Sequence, residues 1–537
     1  MKALKKLLAL TMALGTAVSM TACGIGEVRD EFDPNKTTLQ VGLMEGGIGR
    51  VWMDEIIANY TAKNPDVQIK VVPEKDLYNH NNLLNSISSS GVDVYFVNGI
   101  YLNEFVTKDY LMDITELVGQ QYEGKASILD RMNVDVLKES YKINDKYYAI
   151  PYYMATFGMV YDIDLFEAKG LYFKADGSFV ADNSFTDGEY TGAGTLSAGP
   201  DGKTDTVDDG LPATYSQFTQ LITRMRQRNI VPFTWSGKDV YYRQRLLAAW
   251  WADYEGVDNW NLNLTFNGYD TGLKETITPE TALKLQGQKG KEYAIKFAYD
   301  LMSNAKNYDS SAFQSGTQTH TMAQDKYLNS TTTSTPTAIL AEGQWWENES
   351  KDTFKSLAKD DDSLAYGTRR FGLMPVPKAD DTAFAGAKSA TRNTVTVGGG
   401  RSVVAINKKT DKADLAKDFF LFANSEESMA LFTKYSGCVR PYSYELTDAQ
   451  YNYMTPFQKA TYDLIFDENT DIAFLDVLGC DLQIKNTNYF QGWWWNAKLS
   501  QGTMSDPLTA FKNYSSATVA DYVKGLTDYY KNNWPSA

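Results

Sequence analysis

Thr38-Leu39-Gln40-Val41-Gly42-Leu43 alternates in the manner of a β-strand, and Trp52, Met53, Ile56, Ile57 and Tyr60 then recur at helical spacing. After the break at Pro65, Val67, Ile69 and Val71 alternate again, and Val92-Asp93-Val94-Tyr95-Phe96-Val97 forms an apolar run suited to a central strand. Strand, helix and strand in succession predict an α/β lobe built on a parallel sheet. Glu45-Gly46-Gly47-Ile48-Gly49 joins the first strand to the first helix. Trp52 stands where a dinucleotide loop needs its third glycine, and no phosphate-binding Lys-Ser/Thr follows. The segment is therefore expected to be a tight turn at the C-terminal edge of the sheet, where open α/β sheets bind ligands.

The chain has 537 residues, 43% of them hydrophobic, enough for two or more lobes. Its 35 Tyr, 25 Phe and 11 Trp supply rings for cores and also for a sugar-binding surface. The net charge of −15 repels phosphate backbones and argues against nucleic acid. Only two histidines occur, His80 and His320, so zinc sites and His-based triads lack parts.

The N-terminus carries an address. Lys2, Lys5 and Lys6 precede an apolar stretch from Leu7 to Val18, as in a secretory signal covering residues 1–22. Loss of those three lysines takes the charge from −15 to −18. Met20-Thr21-Ala22-Cys23-Gly24 resembles a bacterial lipobox, which implies lipidation of Cys23 and a membrane anchor. Residues 23–36 are polar and aperiodic, as a flexible tether is. Cys438 and Cys480 could pair in an oxidising compartment or stay as two buried thiols; both readings stand.

Further along, Asp145-Lys146-Tyr147-Tyr148-Ala149-Ile150-Pro151-Tyr152-Tyr153 is followed by Gly158-Met159-Val160-Tyr161-Asp162, Leu165-Phe166 and Gly170-Leu171. Later come Gly343-Gln344-Trp345-Trp346, Met374-Pro375-Val376-Pro377 and Gly398-Gly399-Gly400. In this order the segments resemble family 1 extracellular solute-binding proteins of ABC sugar importers. Asp145 and Asp162 replace the usual Gly and Asn.

The resemblance implies an α/β, two-lobed, periplasmic-binding-protein-like fold of type II, hinge-connected with a ligand cleft between the lobes. It places the N-terminal lobe at 37–151 and 380–445, and the C-terminal lobe at 152–379 and 446–537. Residues 171–213, rich in Gly, Asp, Ser and Thr, are expected as an insertion. The partners implied are an oligosaccharide and the permease subunits of an ABC transporter, with the protein acting as a lipid-anchored monomer on the extracellular face of a bacterial membrane, of Gram-positive type. No enzymatic activity is expected.

A sugar site needs aromatic plates and planar polar groups. Gln491-Gly492-Trp493-Trp494-Trp495-Asn496 cannot turn three neighbouring rings to one core, so Trp494 or Trp495 is a candidate plate. Of Trp345 and Trp346, one is expected to stack on ligand and the other to be core. Trp235 and Tyr242 are candidate platform residues, with core packing the equal alternative; Trp250 and Trp251 on an apolar helix are expected in the core. Glu45 and Asn98 follow strands at the cleft edge, Tyr152 and Tyr153 fall at the crossing segment, and Arg401 follows the triple glycine. Asp201, Asp205, Asp208 and Asp209, interleaved with glycine, form a candidate structural calcium loop; a solvated acidic turn is its alternative, and no cofactor is required. The rival functions are a secreted carbohydrate-active hydrolase, which would need a carboxylate pair, and the same scaffold binding a peptide or other solute.

Overall fold

The computed structural model describes residues 32–72, 80–478, 495–499 and 504–534. Two sheets organise it. The first has the strand order Val403–Ile406, Val94–Val97, Thr37–Leu43, Val67–Val72. Thr37–Leu43 runs parallel to both Val67–Val72 and Val94–Val97, as its alternation and the intervening helix Val51–Lys63 require. Val403–Ile406 joins antiparallel from far along the chain. Asp93 locks this sheet: its carboxylate accepts from the Gln40 amide at 2.7 Å and from the Thr410 hydroxyl at 2.5 Å. It is a structural group, buried among strands.

The second sheet has the order Thr470–Phe474, Asn393–Gly398, Ala155–Asp162, Thr337–Gly343, Val231–Thr234, with Phe371–Met374 also paired to Ala155–Asp162. Every residue of the two central strands Ala155–Asp162 and Thr337–Gly343 is buried. The molecule is thus two-lobed and α/β, each lobe a sheet flanked by helices.

One boundary differs from the expectation. The chain was expected back in the first lobe from residue 380, yet Asn393–Gly398 pairs in the second sheet. The recrossing falls at Gly399-Gly400, just before Val403–Ile406. Both glycines are there for space. A Cβ on Gly399, whose φ is +105°, would sit 2.4 Å from the Tyr153 carbonyl oxygen, and one on Gly400 would sit 1.6 Å from that of Asp476. The two crossing strands of chain lie backbone against backbone.

The two departures from the family-like run also have local causes. Asn144 and Asp145 both take left-handed φ, 52° and 60°, in a two-residue turn between Lys142-Ile143 and Lys146-Tyr147. Asp tolerates that region better than most residues with a side chain. Asp162 caps the helix Ile163–Ala168 by accepting from the Leu165 amide at 2.9 Å, and it pairs with Arg369.

The insertion is a small unit with a Phe185-Thr186/Glu189-Tyr190 hairpin, docked through Tyr172 onto Tyr161 and Phe166. At the far end, the helices Pro507–Asn513 and Val519–Asn533 pack on the Lys289–Met302 helix, with Tyr299 and Phe511 rings 5.2 Å apart. No helix among the described residues is long and apolar enough to cross a membrane.

Candidate functional site

Strand direction defines the cleft. Val231–Thr234 and Thr337–Gly343 are parallel and end at one edge of the second sheet, and the antiparallel Ala155–Asp162 begins there. Asn393–Gly398 and Thr470–Phe474 end at that edge too. In the first sheet the matching edge is where Thr37–Leu43 and Val94–Val97 end. Residues just past those strand ends line the space between the lobes.

Contacts across the gap tie these edges together. The Gly46–Ile48 turn of the first lobe abuts the second: a Cβ on Gly47 would lie 2.7 Å from Glu349 Oε1 and 2.9 Å from Trp345 Cδ1. Glu45 precedes this turn, half-buried. Asn98 Nδ2 donates to the Tyr153 hydroxyl at 2.5 Å. The Arg401 guanidinium lies 5.0 Å over the Tyr101 ring, donates to the Gly99 carbonyl at 3.3 Å, and sits 3.8 Å from the Asp476 carboxylate of the second lobe.

The Trp345-Trp346 pair divides. Trp345 is half-buried at the interlobe contact, its ring 6.3 Å from that of Phe157. Trp346 is 0% exposed and sits in a closed aromatic cluster, 4.9 Å from Phe371, 5.7 Å from Phe457 and 5.9 Å from Tyr327. A side chain sealed on all sides cannot stack on a ligand, so Trp346 is core.

Other expected plates are likewise interior. Trp235 is fully buried, 5.7 Å from Tyr308 and 5.5 Å from Phe313, and serves as packing. Tyr152 is buried within the first lobe, stacked 6.3 Å from Trp52. Trp495 is fully buried against Trp251 at 5.6 Å; Trp250 and Trp251 are core, as the apolar run around them implies. Trp494, Cys23 and Cys480 lie outside the described residues. Cys438 is a buried free thiol, its pKa pushed up to about 12 by burial.

Beside Trp345 stands a polar wall built on Tyr242, a candidate platform residue that is itself buried, and on groups that no sequence motif marked. Tyr242, on the helix Val240–Thr265, stacks on His320 with ring centroids 5.8 Å apart and planes 11° from parallel. His320 Nδ1 lies 3.3 Å from Asp239 Oδ2, and its Nε2 lies 3.9 Å from Glu349 Oε1. Gln324 Nε2 donates to Glu349 at 2.7 Å and to Glu342 at 3.2 Å. Burial raises the pKa of Glu342 far above the ordinary carboxylate range, and burial raises that of Glu349 too. Burial likewise raises the Tyr242 phenol, with Glu342 adding to it. Tyr242, Gln324 and Glu342 are themselves buried and back this wall, while the half-buried Asp239, His320, Trp345 and Glu349 are its partly accessible groups. The one sequence signal that could have found it is position: Glu342 and Glu349 bracket the Gly343-Gln344-Trp345 segment.

The Asp-rich loop uses its carboxylates internally. Asp208 Oδ2 accepts from Asn393 Nδ2 at 2.8 Å and from the Asp201 amide at 3.1 Å, and Asp209 Oδ2 accepts from the Asp205 amide at 2.8 Å. Asp201 Oδ1 accepts from the Lys203 amide at 2.8 Å. Burial pushes the Asp208 carboxyl up to about 6. Among the described residues, no group of three or more His, Cys, Asp or Glu side chains is placed to hold a metal ion. The candidate calcium set Asp201, Asp205, Asp208 and Asp209 therefore does not converge here, because backbone amides and Asn393 already turn its oxygens inward.

A concavity of about 670 Å³ opens away from the cleft, between Lys498-Leu499 and the Val519–Asn533 helix, and includes none of the residues above.

Solved structures share this architecture. A probable secreted solute-binding lipoprotein from Streptomyces coelicolor superposes with a TM-score of 0.56 at 14% identity, covering 93% of this chain and 100% of that one. The ABC substrate-binding protein Lmo0181 from Listeria monocytogenes, in complex with cycloalternan, gives 0.53 at 12% identity over 93% and 99%. Maltose-bound T. maritima MalE3 gives 0.52 at 14% identity over 92% and 99%. At such identities the likeness carries the fold. No curated protein sequence matches the chain significantly. The profile of one family matches residues 46–430, which include strands of both sheets, and by that match the chain belongs to the bacterial extracellular solute-binding proteins.

Proposed function

We propose that this solute-binding protein captures an oligosaccharide in the interlobe cleft and presents it to the permease of an ABC importer. The observation that carries the reading is Trp345, a half-buried ring at the contact between lobes, flanked by the half-buried Asp239, His320 and Glu349. A flat ring beside a row of hydrogen-bonding groups suits a pyranose, which offers a CH face and a rim of hydroxyls. Binding needs no bond to be made or broken; the lobes close on the ligand and open to release it. Structures of the same fold hold sugars, cycloalternan in Lmo0181 and maltose in MalE3, which supports the choice of ligand class.

The lipobox-like Met20-Thr21-Ala22-Cys23 belongs to the same proposal: an acylated Cys23 tethers a monomer to the outer face of the membrane through residues 24–36. Calorimetric titration of the mature chain against glycans and peptides tests the ligand class. Glycan binding without new reducing ends supports capture. Peptide binding alone, or glycan cleavage, overturns it. Mass spectrometry of the membrane-extracted protein tests the anchor, and an unacylated N-terminus would remove that part.

A further inference from the structure

Arg245 stands apart from the other arginines. Among the described residues, it is the one arginine whose guanidinium has neither an ion pair nor a hydrogen bond within the protein; the others, such as Arg50 to Asp54, Arg243 to Asp506 and Arg440 to Asn424, each have a partner. It is not loose on the surface. It lies in the second turn of the Val240–Thr265 helix, half-buried, with its guanidinium carbon 5.1 Å from the Tyr241 ring centre and 5.6 Å from that of Phe157. Phe157 in turn touches Trp345 and Tyr242. The helix begins just past the end of Val231–Thr234, so this cation sits on the cleft edge of the second lobe.

Physical chemistry makes such a placement informative. A guanidinium carries five N–H donors in a planar fork and cannot shed its charge at ordinary pH. Two aromatic rings restrict its rotation and lower the entropy lost when it engages a partner. The natural complement is a pair of oxygens side by side, which the fork meets bidentately.

We propose that Arg245 is a ligand-holding residue that grips two adjacent oxygens of one sugar unit, either the carboxylate of a uronic acid or a pair of vicinal hydroxyls. The proposal rests on the oligosaccharide reading and deepens it. It adds to the Trp345 plate a fixed donor pair on the same wall, so that the sugar ring is held by both its face and its edge. The nearby Asp239 and His320 occupy each other and leave the guanidinium to the ligand.

The test uses the full mature chain. Arg245→Met keeps an unbranched apolar stem between the rings and removes the donors, and Arg245→Lys keeps the charge without the fork. Both are titrated with neutral oligosaccharides and with oligouronides, alongside thermal unfolding. The expected result is a Kd raised about tenfold to a hundredfold by Arg245→Met, with Tm unchanged and only partial recovery in Arg245→Lys. A loss confined to oligouronides assigns the carboxylate, and a loss on neutral glycans assigns the hydroxyl pair. If wild type binds a glycan and Arg245→Met binds it equally well, the Arg245 proposal falls and the sugar reading stands. If wild type binds neither class, both fall.

Discussion

A Cβ on Gly47 would lie 2.8 Å from the Cβ of Trp345, so a glycine of the first lobe and a tryptophan of the second meet with no room for a methyl group between them. Gly47 does not take a left-handed φ, so space and not backbone conformation is what requires glycine there. The turn before the first long helix is therefore part of the contact between the lobes.

Gly47→Ala is expected to oppose closure. Ligand affinity should fall on the order of tenfold, because the bound state depends on the population of the closed form. Tm without ligand should not change. Gly119→Ala, where no atom approaches within 4 Å, is the control. Small-angle scattering with and without ligand, together with titration, checks this: Gly47→Ala should need more ligand to compact.

The two neighbouring tryptophans should separate cleanly. Trp346→Ala removes a sealed ring from the Phe371, Phe457 and Tyr327 cluster and should cost about 3–5 kcal/mol of stability. Trp345→Ala should leave Tm nearly unchanged and abolish most ligand binding. Thermal melts beside titrations of the two variants decide it.

Much of this was legible in the sequence and some was not. The alternation of residues 38–43 and 67–71 and the apolar run at 92–97 gave three neighbouring strands in their parallel arrangement. The return to the first lobe is expected too early, because nothing in the sequence of the buried strand Asn393–Gly398 tells which sheet it joins, and pairing decides it. Aromatic content could not sort plates from packing: Trp235, Trp346 and Trp495 differ from Trp345 only in what surrounds them. His320, Glu342 and Glu349 come from separate elements, and only folding brings them beside Tyr242.

Stability should fall from pH 6 to pH 8. Burial holds the carboxyls of Glu255 and Glu347 at about 7, against 4.5 for the free side chain. Between those values the folded chain keeps a proton that the unfolded chain has lost. This contribution is complete below the unfolded pKa and disappears as pH rises through 7. Glu347→Gln should therefore gain stability relative to wild type above pH 7, by about 2 kcal/mol, and lose the advantage near pH 5. Denaturant titrations at pH 5, 6 and 8 measure this; a wild type that is more stable at pH 8 than at pH 6 would count against it.

The hinge should be intolerant at Gly400. Its missing side chain lets the crossing segment lie against the Asp476 carbonyl, and the Gly400 amide donates to the Asp476 carboxylate at 3.0 Å. Gly400→Ala should destabilise the fold by at least ~2 kcal/mol, since backbone must move to admit the methyl. Unfolding by urea reads the loss directly.

Calorimetric titration of the wild-type chain and Trp345→Ala with one panel of neutral and acidic oligosaccharides bears on the whole reading at once. A glycan that binds wild type in a single site, is recovered uncleaved, and loses most of its affinity in a Trp345→Ala protein of unchanged Tm is the outcome expected. A glycan bound equally well by both proteins would show that the cleft wall around Trp345 is not where the sugar sits.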